Sequence, residues 1–433
     1  MPAPDVAALL LELERSDPDC AEDARSAIEW LSGGEPLETI TELGVCEFLW
    51  YTLPTKVSGD RLATARALGR LLRLGGLERY AALCASPVTA RILRTYARSG
   101  EDAGIAAYQA ALHERGVLPP DVPELRWSSI MGPEELGAHG ACSAALELAI
   151  VSGELSPRAA GEREALTRRW LTTPRAELGG DNWLHRVQGE RLNRWVLGRG
   201  PAWRELAQPF EVRLHAPIPV PAGEHLQVLR RLLRRGGEPG GIPLPQQGGA
   251  PAYGEGPRSG SAASGAARGD RGGERVREPW NGGSVRGARD EDLLAAAGEA
   301  ARRMGALDRA GHALVTTAAG RRLLDDAALL WESAAAALLV PVPHEPDLGV
   351  SVREVALMLL ADGLPADRAS VAAVIGCAED EHPGIDASLA ELTRLLDAFG
   401  LRAGDTLTSA GRAAALTALR GHALRPRQYV SMS

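Results

Sequence analysis

Two stretches about ninety residues apart say nearly the same thing. "MGALDRAGHALVTTAAGRRLL" runs from Met304 to Leu324, and "FGLRAGDTLTSAGRAAAL" from Phe399 to Leu416. Each begins where an amphipathic helix ends, near Gly305 or Gly400. Each then puts a second glycine, Gly311 or Gly404, where a hairpin turn belongs. Each closes on Thr-x-x-Gly-Arg, at Thr317–Arg321 and Thr408–Arg412, with the threonine placed to cap an Ala- and Leu-rich helix. The predicted order is helix, two short strands, helix, the back half of a winged helix-turn-helix. From its first glycine to that of the closing Thr-x-x-Gly-Arg (Gly305 to Gly320, against Gly400 to Gly411) the first copy spends four more residues, which predicts a longer wing.

The second copy also carries a front half. "SVREVALMLLADG" and "ADRASVAAVIG" read as two helices, and "GIDASLAELTRLLDAFG" as a third in the recognition-helix position. The first copy has no such helices immediately before it. The amphipathic stretch 223–235, "GEHLQVLRRLLRRGG" with its closing glycines, serves as its front helix if the residues that follow are an insertion. A faint third copy, with an irregular hairpin, is legible in "LLRLGGLERYAALCASPVTARIL".

Residues 236–289 hold sixteen glycines and six prolines, with Ile242, Leu244, Val276 and Val285 as the aliphatic residues. Such a segment buries too little apolar surface to offset its ordering entropy, so a disordered linker or insertion is expected. The implied domains are a helical region 1–235, the linker 236–289, a partial winged-helix module 290–342 and a winged-helix-like module 343–433. The chain is 45% hydrophobic but only 4% aromatic, so Ala and Leu must fill its cores, and that favours helix. In the N-terminal region, Ser58 or Asp60 opens one helix, and Ser86 with Pro87 opens another. Further helices are predicted at 134–152, 156–171 and 181–197, and "FEVRLHAPIPVP" alternates like a strand. The fold class is therefore mainly α: a multi-helical N-terminal domain plus one or two degenerate winged helix-turn-helix modules.

The run "LVTTAAGRRLLDDAALLW", the helix pair after it and "LLDAFGL…LTSAGRAAALTALRG" resemble the C-terminal region of a group of uncharacterised proteins from high-GC bacteria. "CEFLWYTLPTK" resembles an N-terminal patch of the same group. The resemblance covers 290–421 and that patch. It implies winged-helix-like folding and an association with plasmid or transposon passenger domains. It brings no activity and no functional residues.

Composition removes several chemistries. Lys56 is the only lysine among 48 basic residues and follows Thr55, so no P-loop Gly-Lys-Ser/Thr can be written. Cys20, Cys46, Cys84, Cys142 and Cys377 form no C-x-x-C pair, which fits free thiols in a reducing compartment. The N-terminus lacks a basic start and a signal-like apolar core, and no apolar run reaches membrane length. A cytoplasmic protein without membrane contact or cofactor is expected. Gly-x-Ser-x-Gly and Gly-x-Gly-x-x-Gly motifs are lacking at any strand end.

Four sets of residues remain as candidates. Helix 223–235 places Arg230, Arg231, Arg234 and Arg235 beside Leu226, Leu229, Leu232 and Leu233, to dock on an acidic partner or nucleic acid, or, as is commoner, to pack its leucines and solvate its arginines. Eight arginines against Glu78 give residues 61–98 a net charge of +7. Arg66, Arg70 and Arg73 share one helical face, and Arg91, Arg94 and Arg98 another. These six are the candidate nucleic-acid contacts, unless residues 1–50, with twelve acids against two arginines, neutralise them. The C-terminal modules suit DNA poorly, since 291–433 carry nineteen acids against thirteen arginines. Their bland use is dimerisation or protein contact. "CAEDEHPGID", with Cys377, Glu379, Asp380, Glu381, His382 and Asp386, has metal-ligand residue types but no ligand spacing, and reads as an acidic loop. Asp181, His185, Glu190 and Arg194 are the candidate pocket residues if the protein is an enzyme, and an ordinary exposed helix face otherwise. The expected function is a non-enzymatic nucleic-acid-binding or regulatory protein. The alternatives are an interaction scaffold and an enzyme with its site near His185.

Overall fold

The computed structural model describes residues 5–221, 225–243, 283–341, 348–377 and 382–428. It is mainly helical and divides into two compact units. One comprises residues 1–191 with 425–433, the other 192–424.

The first unit starts with α1 (Val6–Ser16), α2 (Pro18–Ser32) and α3 (Glu42–Glu47), which runs through a π-turn at Phe48–Thr52 into α4 (Leu53–Lys56). Then come α5 (Arg61–Leu74), α6 (Glu78–Cys84), α7 (Pro87–Ser99) and α8 (Glu101–Arg115). Side-chain caps set the starts: Asp5 accepts from Ala7 N, Asp17 from Cys20 N, and Asp60 from Leu62 N and Ala63 N. Ser86 caps α7 through Thr89 N, with Pro87 as the first helical residue. The apolar faces meet in one core around Leu13, Leu49, Trp50, Leu68 and Ile92. The hairpin of the faint third copy is not there, because Glu78–Cys84 is helix α6. Its Ala81 and Cys84 are buried at helical spacing. The unit continues with α9 (Pro133–Val151) and α10 (Ala160–Thr172), and α11 (Trp183–Leu197) leads into the second unit.

The second unit holds α12 (Pro201–His215), α13 (Gln227–Gly236), β1 (Ile242–Pro243), α14 (Gly283–Arg303), β2 (Leu307–Ala310), β3 (Ala313–Thr316), α15 (Ala318–Asp325) and α16 (Ala327–Ala337). It continues with α17 (Gly349–Ala361), α18 (Arg368–Ile375), α19 (His382–Ala398), β4 (Arg402–Ala403), β5 (Thr406–Leu407) and α20 (Ser409–Ala423). "FEVRLH", expected as a strand, lies inside α12 despite Pro209. Ala207, Phe210 and Leu214 are its buried residues, a spacing of three and four that fits a helix and not a two-residue alternation.

The repeated passage builds the same corner twice. β2 pairs antiparallel with β3, and β4 with β5. Gly311 and Gly404 turn the hairpins at φ 62° and 61°, backbone that side chains disfavour. Thr317 Oγ1 accepts from Gly320 N at 3.0 Å and donates to Gly305 O at 2.6 Å. Thr408 Oγ1 accepts from Gly411 N at 3.0 Å and donates to Leu401 O at 3.2 Å. Each threonine thus caps a helix and pins it to the start of the hairpin. The glycine three residues on lies so close to a carbonyl, Ala306 O or Leu401 O, that an added methyl would collide with it. That dual demand is why Thr-x-x-Gly is written twice.

The first hairpin is longer, four paired residues per strand against two. It is also widened by β1, which pairs with β3 through Ile242↔Leu314 and Pro243↔Ala313 to give the sheet order β1-β3-β2. The division expected near residue 235 therefore falls elsewhere. α13 packs on α14, β3 and α15, so 192–243 belong with the C-terminal helices. Of the expected linker, 236–243 close α13 and form β1, and α14 begins at Gly283. The remainder, 244–282, lies outside the described residues.

Candidate interaction surfaces

All six candidate arginines on α5 and α7 are exposed. Two are paired. Arg70 Nη1 donates to Asp17 Oδ2 at 2.6 Å, and this bond holds the Asp17 carboxyl below its ordinary range. Arg73 Nε reaches Glu78 Oε2 at 3.3 Å. Arg66, Arg91, Arg94 and Arg98 form no ion pair among the described residues. Neutralisation by the acidic N-terminal helices thus touches one arginine of the six, through the cap of α2. On α7 the opposite face, Ile92, Leu93 and Tyr96, is buried, which leaves the arginine stripe in solvent.

The first unit also buries an acid pair that sequence reasoning missed. Glu42 on α3 and Glu147 on α9 are 4% and 6% exposed. Glu147 accepts from Glu42 N at 2.7 Å and from Tyr80 Oη at 2.7 Å, and pairs with Arg79. Arg115 donates to Glu42 Oε1 at 2.5 Å. Arg79 Nε also lies 3.8 Å from Glu42 Oε2, so the cluster ties α3, α6, α8 and α9 together. Its signal in the sequence was Glu147 standing alone in the apolar run "AALELAIV".

The residues around His185 are engaged in separate pairings. His185 Nδ1 lies 2.8 Å from Asp181 Oδ2, one turn away on an exposed face. That bond lowers the Asp181 carboxyl, and Asp181 Oδ1 also accepts from Asn182 N. Glu190 instead accepts from Glu135 N at 3.0 Å. It serves the start of α9, where the capping residue Gly132 has no side chain of its own. Nearby, Arg191 and Glu135 are 2% and 0% exposed and pair at 2.5 Å, with Ser128 bonded to both. Residues 425–428 attach here: Ser129 N donates to Arg427 O at 2.7 Å, and Arg427 N to Ser128 Oγ at 3.0 Å. His139, buried edge-on to Trp127, is pushed down to about 4 by desolvation.

In the second unit α17 is buried on all sides. Arg353, 0% exposed, donates to the carbonyls of Leu338 and Val340 at 3.1 and 2.9 Å. Glu354, 1% exposed, accepts from Trp195 Nε1 at 2.6 Å and from Arg199 at 2.7 and 2.9 Å, with His422 Nε2 at 3.4 Å. Desolvation alone would raise this carboxyl, but His422 and Arg199 hold it below its ordinary value. Arg194 belongs to this unit, and Asp181, His185 and Glu190 to the other.

The two helices that precede the hairpins, α14 and α19, pack against each other. Arg303 of α14 and Glu391 of α19 pair at 3.0 Å, at 6% and 16% side-chain exposure. Leu226 N at the head of α13 donates to Phe399 O at 3.2 Å, a second tie between the copies. Of the acidic loop, 378–381 lie outside the described residues. Asp386 is engaged by Arg368 Nε at 2.8 Å, and no cluster of three metal-ligand side chains occurs among the described residues.

A groove of about 730 Å³ opens between α13 and α14, floored by Val228, Leu232, Leu293 and Leu314. No described helix is long and apolar enough to cross a membrane. In comparisons with known proteins, no family model matches the chain, and no curated protein or solved structure matches it significantly.

Proposed function

We propose that the protein is a non-enzymatic interaction scaffold whose second unit is a pair of winged-helix-like modules closed on each other. One observation carries the reading: the helices in the recognition position of both copies, α14 and α19, face one another through the Arg303–Glu391 pair. A recognition helix needs a free face to enter a major groove, and this packing occupies one face of each helix. The net negative charge of 291–433 supports it, since phosphate affinity comes from cations. The test is duplex DNA binding by the full chain, followed by fluorescence anisotropy across a salt series. Substituting the exposed Arg394→Glu on α19 is expected to leave any binding unchanged. Loss of binding on that substitution sinks the closed-pair reading.

A second reading is favoured by the four arginines that have no acid partner among the described residues. Arg66, Arg91, Arg94 and Arg98, with Arg70 and Arg73 beside them, form a nucleic-acid contact on the first unit. R91E/R94E/R98E would then abolish binding, and replacing one of them with Ala would lower the salt slope by about one. An unchanged slope removes this reading.

A further inference from the structure

We infer that the groove between α13 and α14 is a docking site for an acidic amphipathic helix of a protein partner, an inference that rests on the scaffold reading. The two copies differ here. In the second, α18 lies between α17 and α19, with Val371 buried and Ala372, Val374 and Ile375 packed on the core. By element order α13 and α14 are the counterparts of α17 and α19, and the groove runs between them. Its floor is aliphatic, and Leu294 on its rim is 43% exposed.

Charge decides the occupant. Four arginines line the groove, Arg231, Arg235, Arg302 and Arg309, against Glu299 alone. Arg302 is held by Glu299 at 3.1 Å, and Arg309 Nε by Gly311 O at 3.0 Å. Arg231 and Arg235, one turn apart and exposed on α13, form no ion pair among the described residues. A helix with small aliphatic residues on one face and glutamates flanking them satisfies both floor and rim. Residues 244–282 of the chain itself have the wrong sign, with five arginines against four acids, and their aliphatic residues are Leu244 and Val276.

The probe is a labelled synthetic peptide of about four helical turns. It carries Ala, Val and Ile at the α18 spacing and Glu on the opposite face, and is titrated into the full chain. Saturable binding is expected, weakened about tenfold or more by R231E/R235E and also by Leu294→Glu. Melting curves of these surface variants check that folding is kept. The inference is overturned if the peptide does not bind, if a scrambled or Lys-substituted peptide binds equally, or if R231E/R235E has no effect. Binding that appears only after 244–282 are shortened overturns it too, by making the chain's own segment the occupant. Failure of the peptide leaves the closed-pair reading intact, because that reading is tested on DNA and on α19.

Discussion

The two copies of the repeated passage share their corners and differ in their front helices. Both pin helix to hairpin through the same threonine and the same crowded glycine. Yet α17 hides Arg353 and Glu354 completely, whereas α13 shows two arginines to solvent beside an open groove. A corner that must satisfy several backbone groups within a few residues tolerates few sequences. A helix face is constrained only by what packs on it. The words that repeat are therefore those that fix geometry, and the front helices differ because different neighbours pack on them in each copy.

The largest effect separates the front helices. Glu354→Ala leaves Arg199, His422 and Trp195 Nε1 facing a buried space without their acceptor, and is expected to cost about 3–5 kcal/mol in urea denaturation. Arg231→Ala on α13 should cost less than about 0.5 kcal/mol. Equal costs would erase the contrast. Glu354 also sets a pH dependence. Its folded carboxyl lies below the unfolded value of 4.5, so its stabilisation is present above that pH and lost as pH falls through the folded value. Acid unfolding of Glu354→Gln should be correspondingly shallower.

The next effect tests the likeness of the corners. Gly320→Ala and Gly411→Ala should each destabilise by about 1–3 kcal/mol, since the methyl meets a backbone carbonyl. A large cost in one copy only would mean that the passages are alike in sequence but not in strain. Smaller still, Thr317→Ala and Thr408→Ala should each cost about 1 kcal/mol, with serine restoring most of it. Chemical denaturation midpoints of the four variants, compared in pairs, check both statements.

Local features of the fold were legible. Asp60, Ser86, Thr317 and Thr408 announced their helices because a cap and its amides lie within three residues. The hairpins were readable from Gly311 and Gly404 for the same reason. Long-range pairings were not. Glu42 with Glu147, Arg191 with Glu135, and Glu354 with Arg199 join distant positions, and apart from Glu147 in its apolar run each looked like an ordinary surface charge in its own helix. The strand read at "FEVRLH" failed because a short apolar alternation also fits half a helical face once Ala207 is counted. Of the candidate sites, the arginine stripes were visible as spacing. The facing of α14 and α19 and the groove beside α13 needed the assembled unit.

Residues 425–428 bond to Ser128 and Ser129, although all of 192–424 lies between them in sequence. The second unit is thus threaded into the first as an insertion, and this orders events on the ribosome. The helices of the first unit leave the exit tunnel early, but the segment that completes it cannot arrive until the inserted unit has been synthesised. Closing that circuit costs least when the inserted unit has already collapsed and brought its two ends within reach. A slowly folding insertion would hold the first unit unfinished, with Ser128 and Ser129 waiting for their partners.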